Sequence, residues 1–262
     1  MRTLEGRCAL ITGSTQGLGL AAAHRFAAAG CRVVLSGLAP PAEAQAIAAR
    51  LESSYGVRAV YAAGDLSRPA DIDGIVEAAR AAFGGVDILV NNAVVRHASP
   101  VETFSPEKWD DGLAVNLSAA FHLIRLTVPM MKANGWGRIV NVASIYSFKG
   151  AANRVAYVTT KTALLGLTRA VALEGVPHGI TCNAVCPGTT ETPIHEAAIE
   201  ASMAAQSLTR EEAQRRFFAT KQPTGRFISA GQVAALMVFL CGPDASDING
   251  AALPVDGGWS AS

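Results

Sequence analysis

A tyrosine and a lysine one helical turn apart are the most reactive pair in this sequence. Tyr157 and Lys161 stand at positions i and i+4 of a helical pattern, so their side chains share one face of the helix. An isolated phenol has a pKa of about 10, which is too high for a general base at neutral pH, but a nearby ammonium stabilises a phenolate. We therefore predict that Tyr157 exchanges a proton with a substrate hydroxyl.

A serine after a predicted strand extends this reacting group. Ser144 directly follows the mostly apolar stretch 138–143, so we expect it at the carboxyl end of a strand, where open α/β sheets place their ligands. Its hydroxyl would hydrogen-bond the substrate oxygen and stabilise developing charge. The plainer alternatives are an exposed tyrosine–lysine pair and a serine that only caps a turn. A glycine-rich loop upstream argues against both alternatives.

The glycine-rich loop lies between a predicted strand and a predicted helix. Residues 12–19 read Thr-Gly-Ser-Thr-Gln-Gly-Leu-Gly, and they precede an alanine-rich helical pattern that ends at Gly30. Free backbone N–H groups and the positive dipole end of the helix favour a pyrophosphate at such a loop. The predicted contacts with a dinucleotide come from Gly13, Thr15, Gln16, Gly17, Leu18 and Gly19. A tight turn without a ligand is the alternative.

Strands alternate with helices along the whole chain. The patterns predict strands at 7–12, 31–36, 57–62, 86–90, 137–143, 179–185 and 251–255. They predict helices at 17–29, 41–54, 70–83, 106–133, 155–176, 194–203, 209–219 and 230–241. The alternation predicts an α/β fold: one Rossmann-type domain over residues 1–262, with a doubly wound parallel sheet of about seven strands and helices on both faces.

One segment departs from the regular alternation. Residues 189–225 connect a predicted strand to the last predicted helix and contain two helical patterns of their own. A segment this long between a strand and a helix is usually a functional lid over a ligand. We therefore predict a helical lid insertion at 189–225, with a contact between subunits as the alternative.

Composition argues against several classes of protein. Half of the 262 residues are hydrophobic, but no uncharged apolar run approaches the length of a membrane span. A net charge of +1 gives no reason to expect a nucleic-acid partner. The five cysteines lack a second cluster of metal ligands, so we predict buried, reduced thiols and no metal. Charged residues stand where a signal sequence would begin, so the prediction is a cytoplasmic enzyme.

These motifs resemble the short-chain dehydrogenase/reductase family along nearly the whole chain. The resemblance is carried by Thr12-Gly13-x3-Gly17-x-Gly19, Asp65-Leu66, Asn91-Asn92-Ala93, the set Asn116, Ser144, Tyr157 and Lys161, and Pro187-Gly188 with Thr192. It implies a catalytic tetrad of Asn116, Ser144, Tyr157 and Lys161. It also implies cofactor contacts from Asp65, Leu66, Asn92, Ala93, Tyr157, Lys161, Pro187, Gly188 and Thr192.

The resemblance also implies roles within the tetrad. Asn116 would hold a water that connects to the lysine in a proton relay, and Lys161 would also contact the nicotinamide ribose. Val94 departs from the family pattern, which usually has glycine there, but it removes no reacting group. The implied activity is hydride transfer between a nicotinamide cofactor and a secondary alcohol or ketone, in a homotetramer. A non-catalytic dinucleotide-binding regulator is the alternative, and the intact tetrad disfavours it.

The end of the second predicted strand bears on the choice of cofactor. Sites selective for NAD often carry an acid about 20 residues past the glycines. Residues 34–38, Val-Leu-Ser-Gly-Leu, contain neither that acid nor an arginine for a 2′-phosphate, and Arg32 stands at the beginning of the strand. The missing cation favours NAD over NADP.

Within the family, the chain resembles bacterial D-3-hydroxybutyrate dehydrogenases, which use NAD and also lack the acid. The similar segments are 107–110, 116–119, 221–223 and 255–259. The pocket differs, because that group has glutamine, histidine, lysine, tryptophan and glutamine at the positions of Arg96, Tyr146, Arg154, Thr189 and Ala198. The substrate-binding residues are then expected to be Arg96, Ser144, Tyr146, Arg154, Tyr157, Thr189 and Trp259.

The changed pocket predicts the kind of substrate. Arg96 and Arg154 can form charge-assisted pairs with an anionic group, and threonine in place of tryptophan enlarges the site. We therefore predict a small anionic substrate that resembles a hydroxy acid. Two alternatives stay open: the arginines point to solvent or pair with acids such as Glu102 or Glu196, and the substrate is a neutral cyclic alcohol or polyol.

Overall fold

One parallel sheet forms the centre of the computed structural model, which describes residues 2–191 and 193–262 without the side chains of residues 193 and 194. Within these residues the sheet has seven strands. They are β1 (Cys8–Thr12), β2 (Arg32–Gly37), β3 (Ala59–Ala63), β4 (Ile88–Asn91), β5 (Gly137–Val142), β6 (Ile180–Pro187) and β7 (Ala252–Val255).

Helices follow the strands in chain order. They are α1 (Gly17–Ala28), α2 (Pro41–Tyr55), α3 (Pro69–Phe83), α4 (Pro106–Leu113), α5 (Ala119–Ala133), α6 (Val155–Gly175), α7 (Pro193–Gln206), α8 (Arg210–Phe218) and α9 (Ala230–Cys241). The predicted strands and helices are all present, and their ends differ from the prediction by a few residues at most. The segment 189–225 contains α7 and α8, which pack on each other. Its role as a lid stays a prediction.

The strand order creates the predicted binding edge. The strands lie in the order β3-β2-β1-β4-β5-β6-β7, and all adjacent pairs are parallel. The chain therefore winds outward in opposite directions from the junction between β1 and β4. Connections on the two sides of this switch point leave in opposite directions, which opens a crevice at the carboxyl ends of the strands. This topology confirms the doubly wound prediction.

Alternating side chains of the strands fill a core on each face of the sheet. In β1, Ala9 and Ile11 belong to the cluster that includes α1, α2 and α9. Cys8 and Leu10 belong to the cluster on α3, α5 and α6. Successive strand residues point to opposite faces, so a strand between two helical layers has to be apolar at every position. The short apolar runs of the sequence are explained by this double burial.

The predicted helix 106–133 contains an irregular segment. Residues Ala114–Ser118 form a π-helical segment between α4 and α5, with Asn116 at its centre. A π-helical segment adds a residue to one helical turn, and such segments are frequent at functional sites. The continuous regular helix of the sequence prediction is therefore wrong at this point, because the side chain of Asn116 is engaged by the neighbouring loop.

The same stretch, Pro106–Ala133, is long and apolar enough to cross a membrane by length and composition alone. In the described fold it packs on α3, β4, β5 and α6. Leu123, Ile124 and Met131 are buried there among the core residues of this face of the sheet. Packing against the sheet accounts for the apolar composition of the helix.

Candidate active site

The glycine loop is shaped to accept a group against the first turn of α1. Gly13 and Gly17 have φ values of +61° and +54°, which favour glycine. A Cβ at Gly19 would lie 2.1 Å from the carbonyl oxygen of Gly13, whereas a Cβ at Gly17 would meet nothing within 4 Å. Gly19 thus closes the turn, and Gly17 leaves open space beside it. Gln16, the N-cap residue, makes no side-chain capping bond, which leaves the first N–H groups of α1 for a ligand.

A network around Thr12 joins this loop to the end of β4. The Thr12 hydroxyl accepts hydrogen bonds from the backbone N–H groups of Asn92 at 2.9 Å and Ala93 at 3.0 Å. The Asn92 side chain in turn donates to the carbonyl oxygens of Thr12 at 2.9 Å and Gly13 at 3.1 Å. Asn92 therefore sets the shape of the glycine loop from the neighbouring strand.

The predicted cofactor contacts Asp65 and Leu66 follow the end of β3, which pairs with β2. Asp65 accepts hydrogen bonds from the backbone N–H and the hydroxyl of Ser67, and these bonds lower the pKa of its carboxyl group. Leu66 is buried, whereas Leu38 is 77% exposed. Tyr61 donates from its hydroxyl to the carbonyl oxygens of Gly37 at 2.7 Å and Ala39 at 2.9 Å. The loop after β2 is thus fixed, with an uncharged side chain at its tip.

Tyr157 and Lys161 share the inner face of α6. Tyr157 is 8% and Lys161 is 2% exposed, so the alternative of an exposed surface pair is wrong. The Lys161 Nζ lies 5.9 Å from the centroid of the Tyr157 ring and donates a hydrogen bond of 2.6 Å to the carbonyl oxygen of Val142, the last residue of β5. Burial, and then the positive charge of Arg96, lower the pKa of Lys161 to about 7, against an opposing effect of Cys186.

Ser144 lies two residues beyond the end of β5, at the expected sheet edge. Its hydroxyl oxygen accepts a hydrogen bond of 3.2 Å from the backbone N–H of Tyr146 and so caps a short 3-10 helix, Ile145–Ser147. The plainer interpretation of Ser144 as a cap is therefore true. Within the described residues the hydroxyl donates to no acceptor, so its proton can still be given to a substrate oxygen.

Asn116 is a buried amide that holds the loop after β4. Its Oδ1 accepts from the backbone N–H of Val95 at 2.9 Å, and its Nδ2 donates to the carbonyl oxygen of Val95 at 3.0 Å. A cavity of about 10 Å³ lies beside it, lined in part by Thr12, Asn91 and Lys161. That volume is near the lower limit for one water molecule. The Asn116 side chain thus fixes the chain that leads to Arg96.

Aromatic rings form one wall beside Tyr157. The Tyr146 ring lies edge-on to both Tyr157 and Trp259, at centroid distances of 6.3 and 5.5 Å. Burial raises the pKa of the Tyr146 hydroxyl, and the positive charge of Arg154 opposes that rise. Arg96 lies with its guanidinium carbon 5.6 Å from the centroid of the Tyr157 ring. The structure therefore brings two predicted substrate residues, Tyr146 and Arg96, against the Tyr157 ring, and a third, Trp259, against Tyr146.

The two arginines carry no acidic partner among the described residues. The sequence offers Glu102 and Glu196 as such partners, but Glu196 pairs instead with Arg210 of α8. Arg96 is exposed and Arg154 is half-buried at the N-terminus of α6. In the described part of the chain, neither arginine forms an ion pair with Glu102 or Glu196.

Buried Gln222 fastens both ends of the segment 189–225. Its Oε1 accepts from the backbone N–H of Thr189, and its Nε2 donates to the carbonyl oxygen of Arg226 at 2.6 Å. A Cβ at Gly188 would lie 2.6 Å from the same Oε1, so glycine is needed at this position. The sequence predicted Thr189 and Gly188 as site residues but missed Gln222, whose partner lies 33 positions away. Predicted Thr192 lies outside the described residues.

The remaining candidate groups have ordinary structural roles. All five cysteines are buried free thiols, and no cluster of metal-ligating side chains occurs in the described part of the chain. His97 contacts Asp111 at 2.7 Å. Pro187 ends β6 at the carboxyl edge of the sheet. Hydride transfer with a nicotinamide cofactor needs no metal, so a cofactor at the glycine loop and the hydroxyl of Tyr157 would suffice for this chemistry.

Comparisons with known proteins agree on one family. The profile described as short chain dehydrogenase matches residues 7–202. The D-beta-hydroxybutyrate dehydrogenase of Cupriavidus necator is 41% identical to this chain, and that of Rhizobium meliloti is 40% identical. The matches cover 98% and 97% of this chain, respectively, and 99% of each relative. The solved structure of L-sorbose reductase from Gluconobacter frateurii, complexed with NADPH and L-sorbose, has a TM-score of 0.93 at 32% identity, over 100% of this chain and 99% of that one.

The burial of Lys161 predicts that this residue destabilises the fold. Its pKa in the folded protein, about 7, lies below the ordinary value of 10.5, so the unfolded chain binds more protons between these pH values. The contribution of Lys161 to stability is therefore least favourable below pH 7 and improves as pH rises toward 10.5. Lys161→Met should raise the free energy of unfolding at pH 6 by on the order of 2–4 kcal/mol.

Urea denaturation of both proteins without cofactor, at pH 6 and pH 9, checks this expectation. The advantage of the variant should shrink at pH 9. Lys132→Met is the matched control, because Lys132 is exposed in the last turn of α5. A Lys161→Met protein that is less stable than the wild type at pH 6 would contradict the argument.

Proposed function

Because the chain belongs to the short-chain dehydrogenase family, we propose that it is an NAD-dependent oxidoreductase that interconverts a small anionic hydroxy acid and the corresponding ketone. Enzymes of this family act on an alcohol or ketone with NAD(H) or NADP(H), and that coarser activity applies to this chain. One observation carries the finer proposal: Tyr157 is flanked by Lys161 and by Arg96, which has no acidic partner in the described chain.

The residues present fit a dinucleotide at the β1–β4 junction. Gly17 leaves open space against the uncapped first turn of α1, which suits a pyrophosphate. Leu66 and Asp65 lie at the end of β3, where the adenine would be held. When bound, the nicotinamide cofactor supplies the hydride acceptor or donor. We assign its contacts to the predicted set, including Pro187 and Gly188 at the end of β6.

Proton transfer is proposed for the hydroxyl of Tyr157. In oxidation this oxygen takes the proton of the alcohol, and in reduction it returns the proton to the carbonyl oxygen. Ser144 donates a hydrogen bond to the same substrate oxygen and stabilises its developing charge. Lys161 and Arg96 place positive charge 5.9 and 5.6 Å from the centroid of the Tyr157 ring, where it can stabilise an oxyanion that develops on the substrate. The small cavity between Asn116 and Lys161 supports the proton relay that the family resemblance implies.

An acidic group on the substrate would be held by the arginines. Arg96 reaches the ring of Tyr157, and the charge of Arg154 acts on the hydroxyl of Tyr146. A carboxylate between them would orient the carbinol carbon beside Tyr157. Trp259 and Tyr146 would form the apolar wall. The segment 189–225, anchored at Thr189, is proposed to cover the remaining side and exclude water.

A neutral polyol is the second candidate substrate. The similar solved structure is that of an L-sorbose reductase in complex with L-sorbose, which is an uncharged sugar. The site of this chain carries two arginines without an acidic partner among the described residues, and these charges support the hydroxy acid.

We also propose a cytoplasmic homotetramer, as implied by the family resemblance. Exposed apolar side chains support association: Phe121 lies on α5, Leu173 on α6 and Phe239 on α9, and these side chains are 49%, 76% and 46% exposed. Isolated apolar residues are common on surfaces, so the molar mass in solution, measured by light scattering, decides between one subunit and four.

The acid/base proposal predicts the effect of removing one hydroxyl. Tyr157→Phe should lower kcat by about 10²–10⁴-fold, since general acid–base catalysis contributes that much. NAD affinity, measured by calorimetry, should change little because the ring stays in place. Tyr55→Phe is the control: Tyr55 ends α2 and contacts His24, and this variant should keep normal turnover. Near-normal kcat in Tyr157→Phe would remove Tyr157 as the acid/base.

The cofactor proposal predicts a higher kcat/KM with NAD than with NADP. A 2′-phosphate at the end of β2 would meet exposed Leu38 instead of a cation, since Arg32 bonds the carbonyl oxygens of Gly6 and Phe83 at the opposite edge and Arg68 pairs with Asp71. Leu38→Arg should raise kcat/KM with NADP about tenfold, and Leu38→Gln should not. Steady-state kinetics that favour NADP in the wild type would overturn this choice.

The arginine clamp predicts a loss of substrate affinity. Arg96→Ala and Arg154→Ala should each raise KM for an acidic substrate about tenfold to a hundredfold, because each charge-assisted bond contributes about 1.5–3 kcal/mol. Arg125→Ala on α5 is the control, since this arginine lies near Asp73 on the surface. Assays with NAD on hydroxy acids, cyclic alcohols and polyols follow the absorbance of the reduced cofactor. Exclusive turnover of neutral alcohols would refute the clamp but keep the dehydrogenase activity.

A further inference from the structure

A line of buried polar side chains crosses the core beside the candidate active site. Asn91 of β4 and Asn141 of β5 are paired in register, and each stands two residues after a core residue, Leu89 and Ile139 respectively. Both side chains therefore point to the face of the sheet that α5 and α6 cover. Asn91 is 7% exposed and Asn141 is fully buried. A buried amide costs free energy unless its polar atoms are hydrogen-bonded, so the partners of these two side chains have to be accounted for.

The hydrogen bonds of this line fix the direction in which each amide is turned. The hydroxyl of Thr168 donates its one proton to the carbonyl oxygen of Leu164 at 2.7 Å, so it can only accept from the Nδ2 of Asn141 at 2.9 Å. The Oδ1 of Asn141 therefore faces β4 and accepts from the Nδ2 of Asn91 at 2.8 Å. The Oδ1 of Asn91 is left facing away from Asn141, and it has no partner among the described residues.

The Asn91 side chain borders the cavity of about 10 Å³ that Asn116 and Lys161 also line. The amide of Asn116 is already engaged, because it exchanges two hydrogen bonds with Val95 and its Nδ2 also reaches the hydroxyl of Thr160 at 3.4 Å. The ammonium group of Lys161 has three N–H groups, and one of them donates to a backbone carbonyl oxygen. Within the described chain, the cavity thus joins an unused acceptor on Asn91 to unused donors on Lys161.

We propose that Asn91 is a positioning residue: its Oδ1 accepts a hydrogen bond from one buried water molecule, and that water accepts a hydrogen bond from the ammonium group of Lys161. The cavity has the volume of one water, and a buried water usually has about two to four polar partners. An ammonium held by the carbonyl oxygen of Val142 and by this water has a fixed direction beside the ring of Tyr157. The water site follows from the geometry alone, whereas its contribution to catalysis rests on the proposed function.

A crystal structure of the wild-type protein, at a resolution that shows ordered waters, tests the site directly. We expect a water within about 3.2 Å of both the Oδ1 of Asn91 and the Nζ of Lys161. Asn91→Leu has a similar volume but offers no acceptor, so this water should be lost from the variant. A wild-type cavity without a water, a water that misses either atom, or a water that stays in Asn91→Leu overturns the inference.

Steady-state kinetics at saturating NAD separate positioning from a purely structural role. Asn91→Leu should lower kcat for 3-hydroxybutyrate about tenfold and leave KM for this hydroxy acid within about twofold. Asn91→Ala leaves room for further water beside Lys161, so its kcat should stay within about threefold of the wild type. The control is Thr127→Val, which removes a buried hydroxyl that donates to the carbonyl oxygen of Leu123 within α5, away from the cavity, and it should match the wild type.

The outcomes distinguish this inference from the proposed function. Wild-type kcat in Asn91→Leu, or an equal loss of kcat in the leucine and alanine variants, would contradict the positioning role. Lack of turnover of 3-hydroxybutyrate and of every other hydroxy acid would refute the proposed function, and the crystal structures would still decide whether Asn91 and Lys161 share a water.

Discussion

The hydroxyl of Thr12 is the contact on which the geometry of the site depends. Thr12 is the last residue of β1, and its hydroxyl oxygen accepts hydrogen bonds from two backbone N–H groups of the chain that leaves β4. That chain continues to Val95, which the side chain of Asn116 holds from the π-helical segment, and then to Arg96 over the ring of Tyr157. The glycine loop is thereby connected to Tyr157, which is far from it in the sequence, through these hydrogen bonds, the chain from Asn92 to Arg96 and the contact of Arg96 with the ring.

Positive charge at the site is obtained at a cost in stability. Lys161 is nearly fully buried with a single hydrogen bond to the carbonyl oxygen of Val142, and Arg96 adds a like charge nearby. Both charges favour an oxyanion on a bound substrate, but they disfavour the empty folded state. Strained or destabilised groups of this kind are common where a protein binds a charged reactant, because the ligand restores the balance.

The sequence predicts the fold well because its signals are local. Apolar strand runs and helical patterns depend on neighbouring residues, and the i, i+4 spacing of Tyr157 and Lys161 survives in any helix. The irregular turn at Asn116 and the anchoring by Gln222 depend on partners 21 and 33 positions away, so no spacing rule finds them. Ser144 shows a different limit, because a cap and a donor to substrate have the same sequence pattern. Arg96 shows a similar limit, because the sequence does not show whether a nearby acid pairs with its guanidinium group.

The two hydrogen bonds of the Gln222 side chain have a consequence for the evolution of this protein. One side chain joins Thr189 to Arg226, so the intervening chain is a loop whose ends are already closed. The entropy of closing a loop grows only with the logarithm of its length, by about 0.6 kcal/mol for each doubling. Insertions, deletions and new sequence between the anchors therefore leave the sheet and Tyr157 undisturbed. Selection can redesign what the protein recognises while the machinery that moves the proton and the hydride stays the same.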